Sequence, residues 1–310
     1  MTPFILGRRR FLAVSGLMAK SITCGATTPS LRTMDVSSFN PTFSTNFIDE
    51  SKPVFRSGGG PFSTRFERWG GIRTLVPNKE LELYVDRYFV PSPSGVDAFG
   101  HNDAPSGTGK AAGLNPFRLQ DGCLVITAAP TPVDLLPRVG RPYISGLLST
   151  DQSFDQRYGY FEMRARLPGG QGLWPAFWLF GTTQQYRLEI DVVESLGNDT
   201  SRIYQTAQPN VARGEGHHVP LKIDFDYTSE MHDYGVLWTP DELVFFVDRT
   251  ATATMDGRPF RNEVPVFLMA NLAVGGSWGG NPDNTTHFPA EMWIAHIKAY
   301  QLPGLEHERP

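Results

Sequence analysis

The chain has 310 residues, of which 40% are hydrophobic and 19% are charged, so it is long enough to bury a sizeable core. A formal net charge of -4, with no run of Lys and Arg beyond the N-terminal residues, excludes a typical nucleic-acid-binding protein. No apolar stretch of about 18 residues follows the first residues, which excludes a membrane-spanning helix. The 2 cysteines exclude a disulfide-stapled scaffold.

The N-terminal residues predict an export signal. Three consecutive arginines at 8–10 match the twin-arginine pattern, a weakly apolar stretch covers 13–19, and residues 24–26 offer a cleavage site. Residues 1–26 are therefore predicted to be a twin-arginine signal peptide, which implies a periplasmic or secreted protein. A basic N-terminal tail is the alternative. Residues 27–42 are rich in Thr and Ser without periodicity, and we predict a linker there.

Residues 43–303 have the pattern of one all-β domain. Apolar and charged side chains alternate over 160–167, as in a strand with one face on a core and one in solvent. Continuous apolar runs at 243–247 and 266–270 predict strands that are covered on both faces. Many short strands separated by turn residues predict a β-sandwich. The polar residues 304–310 are predicted to be a loose tail.

Three carboxylates lie within six positions at 189–194, interleaved with Ile and Val. Because side chains alternate along a strand, Glu189 and Asp191 share one face, whereas Glu194 would fall on the apolar face. One extra residue bulged out at Val192 and Val193 returns Glu194 to the carboxylate face. We therefore predict that all three carboxylates point into one groove while Ile190 is buried between the sheets.

Paired carboxylates suit glycoside hydrolysis, in which one group attacks the anomeric carbon and the other protonates the leaving oxygen. Retention of configuration requires carboxyl groups about 5–5.5 Å apart, and side-chain lean can bring the outer pair of such a trio into that range. The middle carboxylate can then orient the nucleophile. Crowded like charges also raise the pKa of one member, as a general acid requires.

Tryptophans near the acidic strand offer stacking surfaces for sugar rings. Trp174 and Trp178 share one strand face with a small Ala between them, and they precede the carboxylates by a short distance. Trp278 stands in a flexible Gly-rich loop, 275–280, where burial in a core is a poor explanation. The alternative is that the first two are core residues. We favour a cleft.

Several segments in consistent order together resemble glycoside hydrolase family 16, in its laminarinase-like form with the bulged E-x-D-x-x-E motif. The segments that carry the resemblance are 189–194, 158–168, 174–178, 238–248 and 271–278 with 288–290. The resemblance covers about 43–303. It implies a concanavalin A-like jelly roll of two curved antiparallel sheets, with the cleft on the concave face.

Carried over by position, the resemblance implies that Glu189 is the nucleophile, Asp191 its helper and Glu194 the acid/base. It places Trp174, Trp178 and Trp278 at sugar subsites. Asn78 and Glu80 resemble a short family segment near the cleft. Gln208 stands where many members have a His, so it can bind sugar hydroxyls but cannot titrate.

No cofactor or metal is predicted from these residues. Many family members hold a structural calcium with an Asp in the last strand, but Ala295 stands there, so calcium is left as an open alternative. His217 and His218 with Glu215 could suggest a metal site, but a surface loop is favoured because no second ligand cluster has matching spacing. We expect a monomer.

The leading hypothesis is an exported retaining endo-β-glycanase that acts on a β-linked glucan or a bacterial exopolysaccharide. The first alternative is a transglycosylase, which uses the same covalent intermediate with a sugar acceptor. The second is a non-catalytic glycan-binding sandwich, because fold alone does not fix function. A binding module has no need for three carboxylates, which favours an enzyme.

Overall fold

Sixteen strands form two packed sheets in the computed structural model, which describes residues 32–86, 114–183, 188–211, 215–261 and 264–305. The predicted all-β sandwich is confirmed. Within the described residues, no helix is long and apolar enough to cross a membrane. The predicted signal peptide lies outside the described residues, and so do all but two residues of the predicted tail.

The ten-stranded sheet, called the large sheet below, has the order β14-β13-β12-β7-β16-β4-β5-β2, with β1 paired to β16 and β3 paired to β4. Its pairs are antiparallel except that β2 and β5 are parallel. The strands of this sheet are β1 Pro41–Asn46, β2 Glu82–Tyr84, β3 Phe117–Gln120, β4 Cys123–Pro130, β5 Tyr143–Ser145, β7 Gly159–Arg166, β12 His232–Trp238, β13 Glu242–Val247, β14 Thr250–Asp256 and β16 Ala290–Tyr300.

The six-stranded sheet, called the small sheet, has the order β11-β10-β9-β8-β15-β6 and is antiparallel throughout. Its strands are β6 Leu147–Ser149, β8 Leu173–Gly181, β9 Glu189–Glu194, β10 Arg202–Asn210, β11 Glu215–Lys222 and β15 Val266–Val274. Two one-turn helices, α1 Leu136–Val139 and α2 Gly276–Gly279, lie outside the sheets. Single 3-10 turns occur at Arg56–Gly58, Glu67–Trp69, Val76–Asn78 and Arg258–Phe260.

The main core fills the space between the two sheets. The alternating strand β7 contributes Phe161, Met163 and Ala165, and β9 contributes Ile190 and both of its valines. As predicted, the two apolar runs are covered on both faces, since residues 243–247 of β13 and every residue of β15 are buried. The second face of β15 is covered by the segment around Phe66 and Tyr84, and this segment forms a wall of the candidate site.

The described part of the predicted linker is ordered against the sandwich. Thr33 forms a bridge to Thr250, and Val36 is buried in a cluster with Phe246. Strand β1 begins at Pro41, two residues before the domain start placed at 43. A segment rich in Thr and Ser carries no periodic signal, but a few apolar residues in it suffice to anchor the chain on an exposed sheet face.

Candidate active site

A bulge in β9 places the three carboxylates on one face of the small sheet. Toward β8, Glu194 pairs with Ala176 and Asp191 with Trp178, so one residue of β9 is extra between them. Toward β10, Glu194 pairs with Tyr204 and Asp191 with Thr206, so a single residue of β10 faces both valines. Val192 and Val193 are fully buried in the core. The predicted bulge and the burial of Ile190 are both present in the structure.

The strand register arranges this face of the small sheet, called the cleft face, as three rows that run across the strands. Each row contains one carboxylate and residues of the neighbouring strands. The rows are Asn271–Ala176–Glu194–Tyr204, then Met269–Trp178–Asp191–Thr206–His218, then Phe267–Phe180–Glu189–Gln208. Paired residues in antiparallel strands project on the same side, so all these side chains belong to the cleft face.

All three carboxylates are buried, and neutral donors hold the outer two. Nε1 of Trp174 donates a hydrogen bond to Oε1 of Glu194 at 3.0 Å. Nε2 of Gln208 donates to Oε1 of Glu189 at 3.0 Å. Asp191 lies between them and lines a small cavity with Glu194, Trp174 and Trp178. Indole and amide donors fix the orientation of these carboxylates without neutralising their charge.

A chain of hydrogen bonds connects Trp178 to the segment that includes Asn78 and Glu80. Nε1 of Trp178 donates to Oδ1 of Asn271 at 2.8 Å, and Nδ2 of Asn271 donates to the hydroxyl of Tyr84 at 3.0 Å. That hydroxyl donates to Oε2 of Glu80 at 3.5 Å, and Nδ2 of Asn78 donates to Oε1 of Glu80 at 2.8 Å. Glu80 lines the cavity, whereas Asn78 supports it from behind. Sequence reasoning missed Asn271 and Tyr84.

A second acidic residue, Glu82, interacts with Glu80 and is fully buried. Its Oε2 accepts a hydrogen bond from the backbone N–H of Val274 at 2.8 Å. Burial, together with the charge of nearby Glu80, raises the pKa of Glu82 well above its usual range. Burial also raises the pKa of Tyr84, which keeps its hydroxyl a donor. The surroundings of Glu82 therefore disfavour its ionised form.

One end of the cleft face carries four rings, called the Trp278 cluster: Trp174, Tyr204, His218 and Trp278. The Trp278 ring meets Trp174 edge-on at 5.1 Å and Tyr204 at 4.7 Å. Gly275 and Gly276 have φ values of 81° and 103°, which favour glycine, and they bring helix α2 against Trp174. The loop predicted to be flexible is thus a short helix that holds Trp278 half-buried.

His217 and His218 lie on strand β11 and not on the surface loop that we predicted. His218 pairs in register with Thr206 on the cleft face, and His217 pairs with Ala207, whose side chain faces the core. The two histidines therefore point to opposite faces of the sheet. The prediction was wrong because the short Gly-His-His run carries no alternation that distinguishes a strand from a loop.

The opposite part of the cleft face carries a second set of rings, called the Trp69 cluster: Phe66, Trp69, Trp178 and Phe180. Trp69 stacks on Phe66 at 4.7 Å and is nearly parallel to Trp178 at 6.2 Å. It also meets Phe180 edge-on at 5.1 Å. Sequence reasoning missed Trp69, although it precedes two glycines and so carries the same signal that identified Trp278.

The one group of potential metal ligands found in the described residues lies on the large sheet, away from the carboxylates. It consists of Glu162, Asp233 and His296. Arg249 donates to both oxygens of Glu162, at 2.8 and 3.0 Å. Because this bidentate pair already occupies the carboxylate, the group is explained as a buried ion-pair network and gives no support for a metal.

The chain is similar to proteins that act on β-glucans. The protein-family model described as glycosyl hydrolases family 16 matches residues 116–294 of the sequence. Over 230 residues the chain is 37% identical to the endo-1,3-1,4-β-glycanase ExsH of Rhizobium meliloti, covering 74% of this chain and 45% of that protein. Over 215 residues it is 31% identical to a β-glucanase of Rhodothermus marinus, covering 61% of this chain and 72% of that protein.

The fold also matches a solved structure, the laminarinase catalytic domain of Thermotoga maritima. The TM-score is 0.65 at 27% sequence identity, covering 85% of this chain and 98% of that domain. This match confirms the predicted jelly-roll class. The chain spans less than half the length of the Rhizobium meliloti relative, at 45%.

Proposed function

Because the chain belongs to glycosyl hydrolase family 16, we propose that it is a retaining endo-β-glycanase that hydrolyses a β-glucan through a covalent glycosyl-enzyme intermediate. The observation that carries the proposal is the bulge in β9. It places Glu194 on the same buried face as Glu189 and Asp191, with separate donors for the two outer carboxylates. A glycan-binding surface needs no such arrangement.

In the first half of the reaction, the Glu189 carboxylate attacks the anomeric carbon while Glu194 gives its proton to the leaving glycosidic oxygen. The C–O bond to the leaving sugar breaks as the ester bond to Glu189 forms. In the second half, Glu194 takes a proton from water, and that water displaces Glu189 from the anomeric carbon. Asp191, in the middle row, interacts with the nucleophile and orients it.

The neutral donors suit these roles. Gln208 donates to one oxygen of Glu189 through a neutral amide group, which orients the carboxylate for attack. Trp174 donates to Oε1 of Glu194 and so fixes the orientation of the carboxyl group that transfers the proton. Neither donor titrates near neutral pH, so both contacts are kept through the two halves of the reaction.

The substrate class follows from the relatives. They are named an endo-1,3-1,4-β-glycanase and a β-glucanase, which supports a β-1,3 or mixed-linkage glucan over other polysaccharides. A bacterial exopolysaccharide with such linkages remains within this class. The N-terminal arginine pattern supports export to the periplasm or beyond, where polymeric glucans are found. We propose that the enzyme acts as a monomer.

The test is Glu189→Gln, assayed on laminarin, lichenan and barley β-glucan with product sizing. Wild type should release oligosaccharides of several lengths from at least one polymer, and the variant should lose at least about 1,000-fold in kcat while it still binds oligosaccharides. Glu50→Gln, at an exposed position beside β3 of the large sheet, is the matched control and should keep full activity. Undiminished activity of Glu189→Gln would exclude Glu189 as the nucleophile.

Product sizing also separates the alternatives. Products longer than the substrate would identify a transglycosylase, because a sugar acceptor then replaces water in the second half of the reaction. Binding of laminarin or lichenan by wild type without any bond cleavage would identify a glycan-binding sandwich.

A further inference from the structure

Glu80 and Glu82 form a buried pair of carboxyl groups beside the cavity that holds the catalytic carboxylates. Both side chains are buried, and they lie within hydrogen-bond reach of each other. Glu80 lines the cavity together with Asp191 and Glu194, whereas Glu82 is fully buried behind it. Two ionised carboxylates at such a position repel each other away from water, which favours a proton on one of them.

The hydrogen bonds of Glu80 favour its ionised form. Its Oε1 accepts from Nδ2 of Asn78 at 2.8 Å. Its Oε2 accepts from the backbone N–H of Leu75 at 3.2 Å and from the hydroxyl of Tyr84 at 3.5 Å. Donors that surround both oxygens of a carboxyl group stabilise the charged form, so Glu80 is the better carboxylate of the pair.

Glu82 has the opposite pattern. Its Oε2 accepts from the backbone N–H of Val274 at 2.8 Å. Its Oε1 is buried, and within the described residues no N–H or hydroxyl group donates to it. A proton on Oε1 would satisfy this buried atom by turning it into a donor toward Glu80. The geometry therefore favours Glu82 as the member that carries the proton.

The charges around the pair agree with this assignment. Burial, followed by the charge of Glu80, raises the pKa of Glu82 well above its usual range. Strand β15 contributes the backbone N–H of Val274, which opposes this shift without offsetting it. The other titratable and charged groups near the pair are Tyr84 of β2, Tyr143, which pairs with Glu82 in β5, Arg141 and Arg73, which donate to the backbone oxygens of Glu80 and Tyr84, and Asp191 and Glu194 across the cavity.

We propose that Glu82 is a positioning residue that keeps its proton at neutral pH and donates it from Oε1 to Glu80, so that Glu80 is held as an oriented, ionised acceptor in the cavity wall. Its effect on catalysis rests on the proposed glycanase function. Glu80 accepts from Tyr84, and Asn271 joins Tyr84 to Trp178, so the same proton also supports the ring in the middle row of the cleft face.

The proton is tested by the pH dependence of stability, without substrate. A glutamate of the unfolded chain loses its proton near pH 4.5, whereas Glu82 of the folded chain keeps it to a higher pH. Wild type therefore loses stability as the pH rises above about 4.5, and Glu82→Gln does not share this loss because an amide does not titrate. In urea denaturation, the folded-to-unfolded ratio of Glu82→Gln relative to wild type should rise about tenfold per pH unit from about pH 5 to about pH 7. Glu50→Gln, at an exposed position, is the matched control and should show no such rise.

The positioning role is tested by lichenan hydrolysis at a temperature at which every variant is folded. Glu82→Met keeps the length of the side chain but removes the donor, and it should lower kcat/KM about three- to tenfold. Glu82→Gln replaces the acid by an amide, which still donates to Glu80 and accepts from Val274, so it should recover at least about half of the wild-type kcat/KM.

Each outcome decides one part of the inference. A stability ratio that stays flat from about pH 5 to about pH 7 would show that Glu82 is ionised there and would overturn the proposal, even if Glu82→Met does not fold. Equal activities of Glu82→Met and Glu82→Gln would overturn the positioning role. Wild type that cleaves no β-glucan would instead overturn the glycanase function and the role that rests on it, while urea denaturation would still decide whether Glu82 carries the proton.

Discussion

Deleting Val192 tests whether the bulge serves only to set the direction of Glu194. Deletion of Val192 or of Val193 gives the same sequence, in which Glu189, Asp191 and the former Glu194 fall at alternate positions. With one valine removed, the pairs that Asp191 and Glu194 form with the neighbouring strands can all be kept. Glu194 keeps Ala176 and Tyr204, and Asp191 keeps Trp178 and Thr206. The shortened strand therefore pairs regularly with both neighbours, and the carboxylate still faces the cleft.

The expected cost is the burial of one side chain. Val192 is fully buried, and burying a valine contributes about 1.5–3 kcal/mol to the free energy of unfolding. In a domain of this size that corresponds to a fall of roughly 3–12 °C in the midpoint of thermal unfolding. Loss of the local bend shifts the carboxylates slightly, and a shift of about 1 Å can lower the rate about 100-fold. We expect the deletion to lower kcat/KM by no more than about 100-fold.

Two controls accompany the deletion in assays of lichenan hydrolysis and thermal unfolding. Val192→Ala keeps the bulge and loses only methyl groups, so it should lose stability with little loss of activity. Deletion of Ile190 removes a residue from the regular part of β9 and turns Glu189 toward the core, so activity should fall to background. A Val192 deletion that folds but is as inactive as the Ile190 deletion would refute our explanation of the bulge.

Two further predictions concern the Trp69 cluster and the large sheet. Trp69→Ala should lower kcat/KM about tenfold on both lichenan and a 4-nitrophenyl β-glycoside of a lichenan-derived trisaccharide, because we expect Trp69 to contact a sugar that is not part of the leaving group. A loss confined to lichenan would place Trp69 on the leaving-group side of the scissile bond and contradict this prediction. Glu162→Gln should lower the free energy of unfolding at pH 7 by about 3 kcal/mol, measured by urea denaturation. Burial opposes the ionised form, but hydrogen bonds from His296 and Arg249 outweigh it and lower the pKa of Glu162 to about 2. This stability is present above about pH 4.5 and is lost as the pH falls toward 2, so the difference between wild type and variant should shrink there.

The carboxylate site could be predicted because its signal is local. Strand alternation over six residues shows that Glu194 is out of phase, and a bulge is the simplest device that restores it. The aromatic clusters could be predicted only in part. Trp174 and Trp178 are close in sequence to the carboxylates, whereas Trp69 reaches Phe180 across more than a hundred residues. A single sequence contains no pairing information at that separation.

His218 shows a second reason why sequence reasoning stops short. The residue itself is unremarkable in sequence, and its position depends on the register between β10 and β11, which sets it opposite Thr206. A shift of one residue would exchange His218 with His217 and remove the ring from the cleft face. Glu82 was missed for a similar reason, since only the packing of β15 against β2 shows that this carboxyl group is buried.

The position of β16 in the large sheet has a consequence for how the chain folds. Among the described strands, β16 joins the half that contains β4, β5 and β2 to the half that contains β7, β12, β13 and β14, and it also pairs with β1. Until residues 290–300 leave the ribosome, the two halves present open edges that cannot close on each other. Most pairings that complete the sheet connect residues far apart in sequence, which makes folding slow. Unpaired, aggregation-prone strand edges are therefore exposed during synthesis.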